Sequence, residues 1–120
     1  MYNLTEPIEL GVVAGTEYKF YYTLTMFSDR TLAVVIDCED PEFNFREPYS
    51  TLTVNLSGYQ RVPNEGEIFI HHDSVNTEAF EIFYEKFCDK DFGKQPISYG
   101  YASSVKVKFA DGILPEGIKG

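Results

Sequence analysis

Three groups of side chains in this sequence have the types needed for chemistry: a histidine pair followed by an aspartate, two cysteines, and a set of carboxylates interleaved with aromatic rings. His71, His72 and Asp73 are the first candidates for a metal. Adjacent residues on a strand point to opposite faces, so a strand reading keeps the two imidazoles from sharing an ion. No cysteine or third histidine lies nearby at ligand spacing. The expectation is a strand end leading into a helix cap, with no metal and no cofactor. A cysteine nucleophile needs a histidine and an orienting group. Cys88 falls at the end of the expected helix, where the dipole disfavours a thiolate, and Cys38 is followed by Glu39 and Asp40. Both thiols are therefore expected to be inert. The chain has no serine-hydrolase elbow, phosphate-binding loop or dinucleotide glycine fingerprint. No catalytic residue is expected.

The carboxylates have two readings. Glu39, Asp40, Glu42 and Glu47 crowd around Phe43, Phe45 and Tyr49, while Glu78, Glu81, Glu85, Asp89 and Asp91 lie along or just after the helix. The plain reading is a solvated loop and a solvated helix face. The sharper one is a negative surface that imitates nucleic acid or docks into a basic protein groove. Aromatic rings within a charged loop fit binding, because exposed Phe and Tyr anchor interfaces. On that reading Glu39, Asp40, Glu42, Phe43, Phe45 and Tyr49 make the contact. Two alternatives stay open: a small-molecule pocket between sheet and helix with Tyr99, Tyr101 and His71 as its polar groups, and self-assembly through an exposed sheet edge.

The elements that hold these residues follow from periodicity. Thr31 to Cys38 alternates, with Leu32, Val34, Ile36 and Cys38 on one face, and its β-branched residues suit a pleated surface. Tyr49 to Leu56 repeats the pattern, so an antiparallel hairpin is expected, with Pro41 and Pro48 in a polar loop over 39–48 or at a strand's start. Pro7 to Val13 and Glu17 to Phe27 read as earlier strands, with Ser28-Asp29-Arg30 as a turn. Glu67 to His72 reads as a short strand, and Asp73, Ser74 and Asn76 offer helix-capping side chains. The helix, expected over about 76–89, carries Ala79, Phe80, Ile82, Phe83 and Phe87 at i, i+3, i+4 spacing, with Lys86 and Lys90 near its end. Ile97 to Ala110 reads as one long strand that Gly100 bends. The expected fold is α+β: one domain over 1–120, a curved and mostly antiparallel sheet of five or six strands packed on one helix, with 115–120 flexible.

Composition narrows the function classes. The chain has 120 residues, 43% hydrophobic, with ten phenylalanines, nine tyrosines and no tryptophan, which points to an aromatic core. Nineteen acidic residues against ten basic ones give a net charge of −9, which disfavours direct contact with a nucleic-acid backbone and permits a basic protein partner. No apolar run reaches the ~18 residues of a membrane span, so no membrane association is expected. The N-terminal MYNLTEPIEL lacks the basic and apolar regions of an export signal, so a cytoplasmic protein with two reduced thiols is expected, a disulfide between them remaining possible.

The segment RTLAVVIDCEDPEFNFREPYSTLTVNL, followed by PNEGEIFIHHDS and the helix TEAFEIFYEKF, resembles a family of small uncharacterised bacterial proteins. That family is carried on plasmids, conjugative elements and phages of Firmicutes. The likeness covers about Thr31 to Gly100, and TLTVNL is its most specific piece. The acidic loop of this chain is longer than the family pattern. The resemblance implies a mobile-element context, in which small acidic inhibitors of host defence, including anti-CRISPR proteins, are common. It implies no catalytic residues. The resulting expectation is a non-enzymatic protein-binding module, with a basic host protein as its partner.

Overall fold

The computed structural model describes residues 2–3, 12–13, 16–17, 19–40 and 45–114. In chain order its strands are β1 (Tyr2–Asn3), β2 (Val12–Val13), β3 (Thr16–Glu17), β4 (Lys19–Met26), β5 (Leu32–Asp40), β6 (Phe45–Thr51), β7 (Glu67–Phe69), β8 (Gln95–Tyr99) and β9 (Ala102–Lys108), with helix α1 (Glu78–Phe87) between β7 and β8. The class is α+β and every strand pairing is antiparallel. The strands divide into a four-stranded sheet in the order β1-β4-β5-β6, a three-stranded sheet in the order β7-β9-β8, and the small β2-β3 hairpin. Of the strand expected over Pro7 to Val13, only Val12–Val13 lies within the described residues, and 115–120 lie outside them.

β4 and β5 pair from Lys19↔Glu39 to Met26↔Leu32. The turn between them places Arg30 at φ 68°, and the Asp29 carboxylate accepts hydrogen bonds from the Thr31 N–H and hydroxyl. Phe20, Tyr22 and Leu24 of β4 and Leu32, Val34 and Ile36 of β5 are buried on the core face, as alternation predicts. The opposite face is less open than alternation predicts, because Thr23, Ala33 and Asp37 are also buried. Thr23 donates its hydroxyl hydrogen to the Asp37 carboxylate at 2.6 Å. A donor lost beside a buried carboxylate weakens the compensation of its desolvation, so Thr23→Val should destabilise the fold by about 1–3 kcal/mol. The urea midpoint is the measurement; an unchanged midpoint would mean that Asp37 does not depend on this hydroxyl.

The second hairpin departs from the sequence reading. The expected strand Tyr49 to Leu56 begins four residues earlier, at Phe45, and β5 continues to Asp40, so most of the expected loop over 39–48 is strand; its residues 41–44 lie outside the described residues. Pro48 is within a strand, opposite Asp37. It is tolerated because β6 is an edge strand and the register shifts at this point: Ile36 faces Ser50 while Asp37 faces Pro48, leaving Tyr49 as an extra residue. After Thr51 the chain changes partners. Leu52 N–H still bonds the Val34 carbonyl at 2.9 Å, but Thr53 bridges to Ile70 and Val54 N–H bonds Phe69. This crossing links the two larger sheets.

The expected strand Ile97 to Ala110 is instead a hairpin. Tyr99 pairs with Ala102 across Gly100-Tyr101, and Gly100 has φ +57°. A glycine at the first central position of a two-residue turn matches the twist of the flanking strands, which explains a reversal where alternation alone predicts a bend. Tyr101 consequently stands fully exposed at the tip, while Tyr99 is buried.

Helix α1 starts at Thr77, whose hydroxyl oxygen accepts the Phe80 N–H at 3.3 Å. The sequence reading placed this cap at Asp73, Ser74 or Asn76; those residues form the preceding turn. The Lys90 ammonium donates to the carbonyls of Tyr84, Glu85 and Cys88 and closes the other end. Phe80, Phe83 and Phe87 are the buried stripe. Tyr22 joins the first sheet to this helix, with its hydroxyl donating to the Ala79 carbonyl at 2.5 Å and its ring packed edge-on against Phe83 and Phe87. A second, smaller cluster of Leu56, Phe69 and Tyr99 covers the other side of the three-stranded sheet.

Candidate functional site

Of the six expected contact residues, Glu39, Asp40, Phe45 and Tyr49 lie on strands β5 and β6. Glu39 is half-buried, accepts a hydrogen bond from the Tyr21 hydroxyl at 3.0 Å, and lies in register between Lys19 on β4 and Arg46 on β6. It is thus a strand carboxylate tethered by Tyr21, not a loop carboxylate. Asp40 ends β5 opposite Phe45, the first residue of β6. Glu42 and Phe43 lie outside the described residues. Tyr49 is 56% exposed and packs edge-on against Phe20 at 5.2 Å. The bulge puts Tyr49 and Ser50 together at the core-side rim, where regular alternation would have sent them to opposite faces.

At that rim lies a cleft of about 320 Å³. Ile36, Leu52 and Ala79 supply apolar lining, Tyr49 and Ser50 form the β6 side, and Asp73, Ser74, Thr77 and Glu78 form the side leading into α1. The sheet–helix interface beneath is filled by Tyr22, Phe80, Phe83 and Phe87, all buried. The opening expected between sheet and helix is therefore confined to the helix's N-terminal end. Of the polar groups expected in such a pocket, Tyr99, Tyr101 and His71 do not line this cleft. Sequence reasoning passed over Asp73, Ser74, Thr77 and Glu78 as cap and helix-face residues, and nothing in their spacing marks them as neighbours of Tyr49.

Asp73 also belongs to a second group. The strand pairing ends at Ile70, and the chain turns at once: His71 N–H bonds the Leu52 carbonyl at 2.9 Å, and Ser74 N–H bonds the His71 carbonyl at 2.8 Å. The alternation that separates adjacent strand side chains does not apply in a turn. The two imidazoles stack, with centroids 4.5 Å apart and planes 24° apart. His72 Nε2 is 3.2 Å from Asp73 Oδ1, and His71 Nδ1 is 3.8 Å from Asp73 Oδ2. His72 Nδ1 faces the Tyr99 hydroxyl at 3.2 Å.

Cys38 and Cys88 are buried and not joined in a disulfide. Burial pushes the Cys88 thiol up to about 12, against a smaller opposing pull from Lys90 and Lys94. Among the described residues no helix is long and apolar enough to cross a membrane. Comparisons of the chain with protein-family models, with curated proteins and with solved structures return no match.

Proposed function

We propose that this chain is a non-enzymatic protein-binding module that docks through the outer edge of β6 and the end of the β5–β6 hairpin onto a basic protein surface. The observation that carries this reading is the unbroken exposed run Glu47–Thr51 on an edge strand, with Tyr49 left by the bulge as an extra residue at the cleft rim. A large aromatic ring seated on Phe20 yet open to solvent suits an interface anchor. The acidic surroundings add the charge that a basic partner would match: Glu47 two residues before it and Asp73 and Glu78 across the cleft, with Glu39, Asp40 and Glu42 adjoining in the sequence. Drawn together with the resemblance to mobile-element proteins, the most specific form is a cytoplasmic anti-defence inhibitor. It would occupy the nucleic-acid-binding groove of a host protein, as anti-CRISPR proteins do.

Capture from host lysate with the tagged chain, followed by titration with the purified partner, tests this. Tyr49→Ala should weaken binding by about 30-fold or more, the scale of a ~2 kcal/mol anchor. Charge reversal of Asp40 and Glu42 should abolish capture and leave the thermal transition in place, reversal of Glu39 should in addition lower it through the lost Tyr21 hydrogen bond, and rising salt should weaken the wild-type complex. Binding indifferent to all three changes removes this surface from the function. The cleft supports a second reading, a small-molecule site; a ligand that shifts the NMR signals of Ile36, Leu52 and Ala79 without a protein partner would favour it. Self-association through β6 is opposed by Pro48 and the bulge, both of which blunt an edge.

A further inference from the structure

We propose that His71, His72 and Asp73 form a binding site for a divalent transition-metal ion of the zinc class. The site does not rest on the docking surface: its ligands come from the turn after Ile70, and only Asp73 also borders the cleft. One donor atom from each residue falls within a sphere where all lie within 4.8 Å of one another. Tetrahedral zinc with bonds of about 2.0–2.1 Å holds neighbouring donors about 3.3–3.4 Å apart. His72 Nε2 stands 3.2 Å from Asp73 Oδ1, close to that spacing, while His71 Nδ1 stands 3.8 Å from the other carboxylate oxygen, Oδ2. Side-chain rotation in the half-buried His71 and the exposed His72 and Asp73 would bring the three donors onto one ion.

The surroundings favour the same reading. A metal-bound imidazole is normally fixed by a hydrogen bond from its other ring nitrogen. His72 has that partner in the Tyr99 hydroxyl, on the nitrogen turned away from Asp73. A tyrosine hydroxyl can donate or accept. It can therefore donate to Nδ1 while His72 Nε2–H faces the carboxylate, and accept from Nδ1–H once Nε2 gives its lone pair to a metal. Tyr99 is itself held, being buried in the Leu56–Phe69 cluster. His71 Nδ1 accepts the Asp73 N–H at 3.1 Å in the turn. Ligation through this atom replaces that bond, and the exposed N–H passes to water. Backbone hydrogen bonds at His71 N and O pin the turn on both sides, so little chain ordering is needed on binding. Imidazole nitrogen with one carboxylate suits zinc, nickel or copper better than calcium or magnesium, which prefer all-oxygen shells. Three protein ligands leave a coordination position for water or for a donor from another molecule.

Isothermal titration of the full chain with Zn²⁺ tests the site. The expected result is saturable binding of one ion per chain in the micromolar range, weakened at least tenfold by His72→Gln and by Asp73→Asn. The double substitution His71→Gln, His72→Gln should abolish it. The urea midpoint of the metal-free Asp73→Asn variant should match wild type, since that side chain is exposed, while the histidine variants should lose a little through the Tyr99 and turn hydrogen bonds. Co²⁺ substitution should show a visible absorption band that the double variant lacks. Absence of saturable binding, or binding undiminished in the double variant, overturns the proposal.

Discussion

Phe83→Ala should cost about 3–5 kcal/mol, a large share of the about 5–15 kcal/mol that holds a domain of this kind together. Phe83 is fully buried, and its ring touches Tyr22 at 5.4 Å, Phe87 at 5.3 Å and Phe109 at 5.8 Å. Those contacts join the helix, which carries both Phe83 and Phe87, to two other parts of the fold: the four-stranded sheet through Tyr22 and the segment just after β9 through Phe109. Truncation removes the transfer free energy of the ring, leaves a cavity that three rigid aromatics cannot collapse around, and deletes three aromatic pairs at once. Equilibrium urea unfolding by circular dichroism reads the loss as a lower midpoint at unchanged slope. Phe83→Leu should recover part of it. Tyr101→Ala, at the exposed tip of the β8–β9 turn, should stay within about 0.5 kcal/mol of wild type. A Phe83→Ala loss below about 1 kcal/mol would mean that the two sheets and the helix are not joined through this ring.

Alkaline pH should weaken the fold through Cys88. Its thiol ordinarily ionises near 9.0, and burial pushes it up to about 12 in the folded chain. Between those values the unfolded chain gives up the proton and the folded one keeps it. The folded state then binds more protons, so stability falls as pH rises, by up to about 1.4 kcal/mol per pH unit and about 4 kcal/mol in all. Below about pH 9 the thiol contributes no slope, and above about 12 the loss levels off. Tyr22 acts in the same direction. Burial, and then the negative charge of Glu78, raise its phenol above the ordinary 10.0, so it adds to the fall at the upper end of the window. Unfolding midpoints at pH 8, 9.5 and 11 for wild type and Cys88→Ala isolate the thiol (pH values chosen to span the window). The variant should lose less stability than wild type across that range. Parallel curves would show that the thiolate is accommodated in the folded state.

Both predictions rest on features partly readable in the sequence. The spacing of Phe80, Phe83 and Phe87 marks the helix and its buried stripe, and Cys88 follows it as the C-terminal cap. The alternation of Phe20, Tyr22 and Leu24 against Leu32, Val34 and Ile36 marks the β4–β5 pair. These were legible because helix and strand periods are local properties of a dozen residues. The candidate site was legible only as residue types. Tyr49 could be named as an exposed ring, but not as the bulged residue facing Asp73 and Glu78 across a cleft.

Composition and periodicity establish the α+β class, the helix with its aromatic face, the two long antiparallel strands, and an acidic chain poorly suited to a phosphate backbone. Tertiary packing sets where the pairings begin and end. It lodged Pro48 in an edge strand, pushed Tyr49 out of register, folded Ile97 to Ala110 back on itself at Gly100, and passed the chain from one sheet to the other at Thr53. It also stacked His71 on His72 beside Asp73, where alternation had set them apart. The physical reason is common to all of these. A strand's period says which residues share a face only while the ladder lasts, and the ladder's ends depend on partners dozens of residues away.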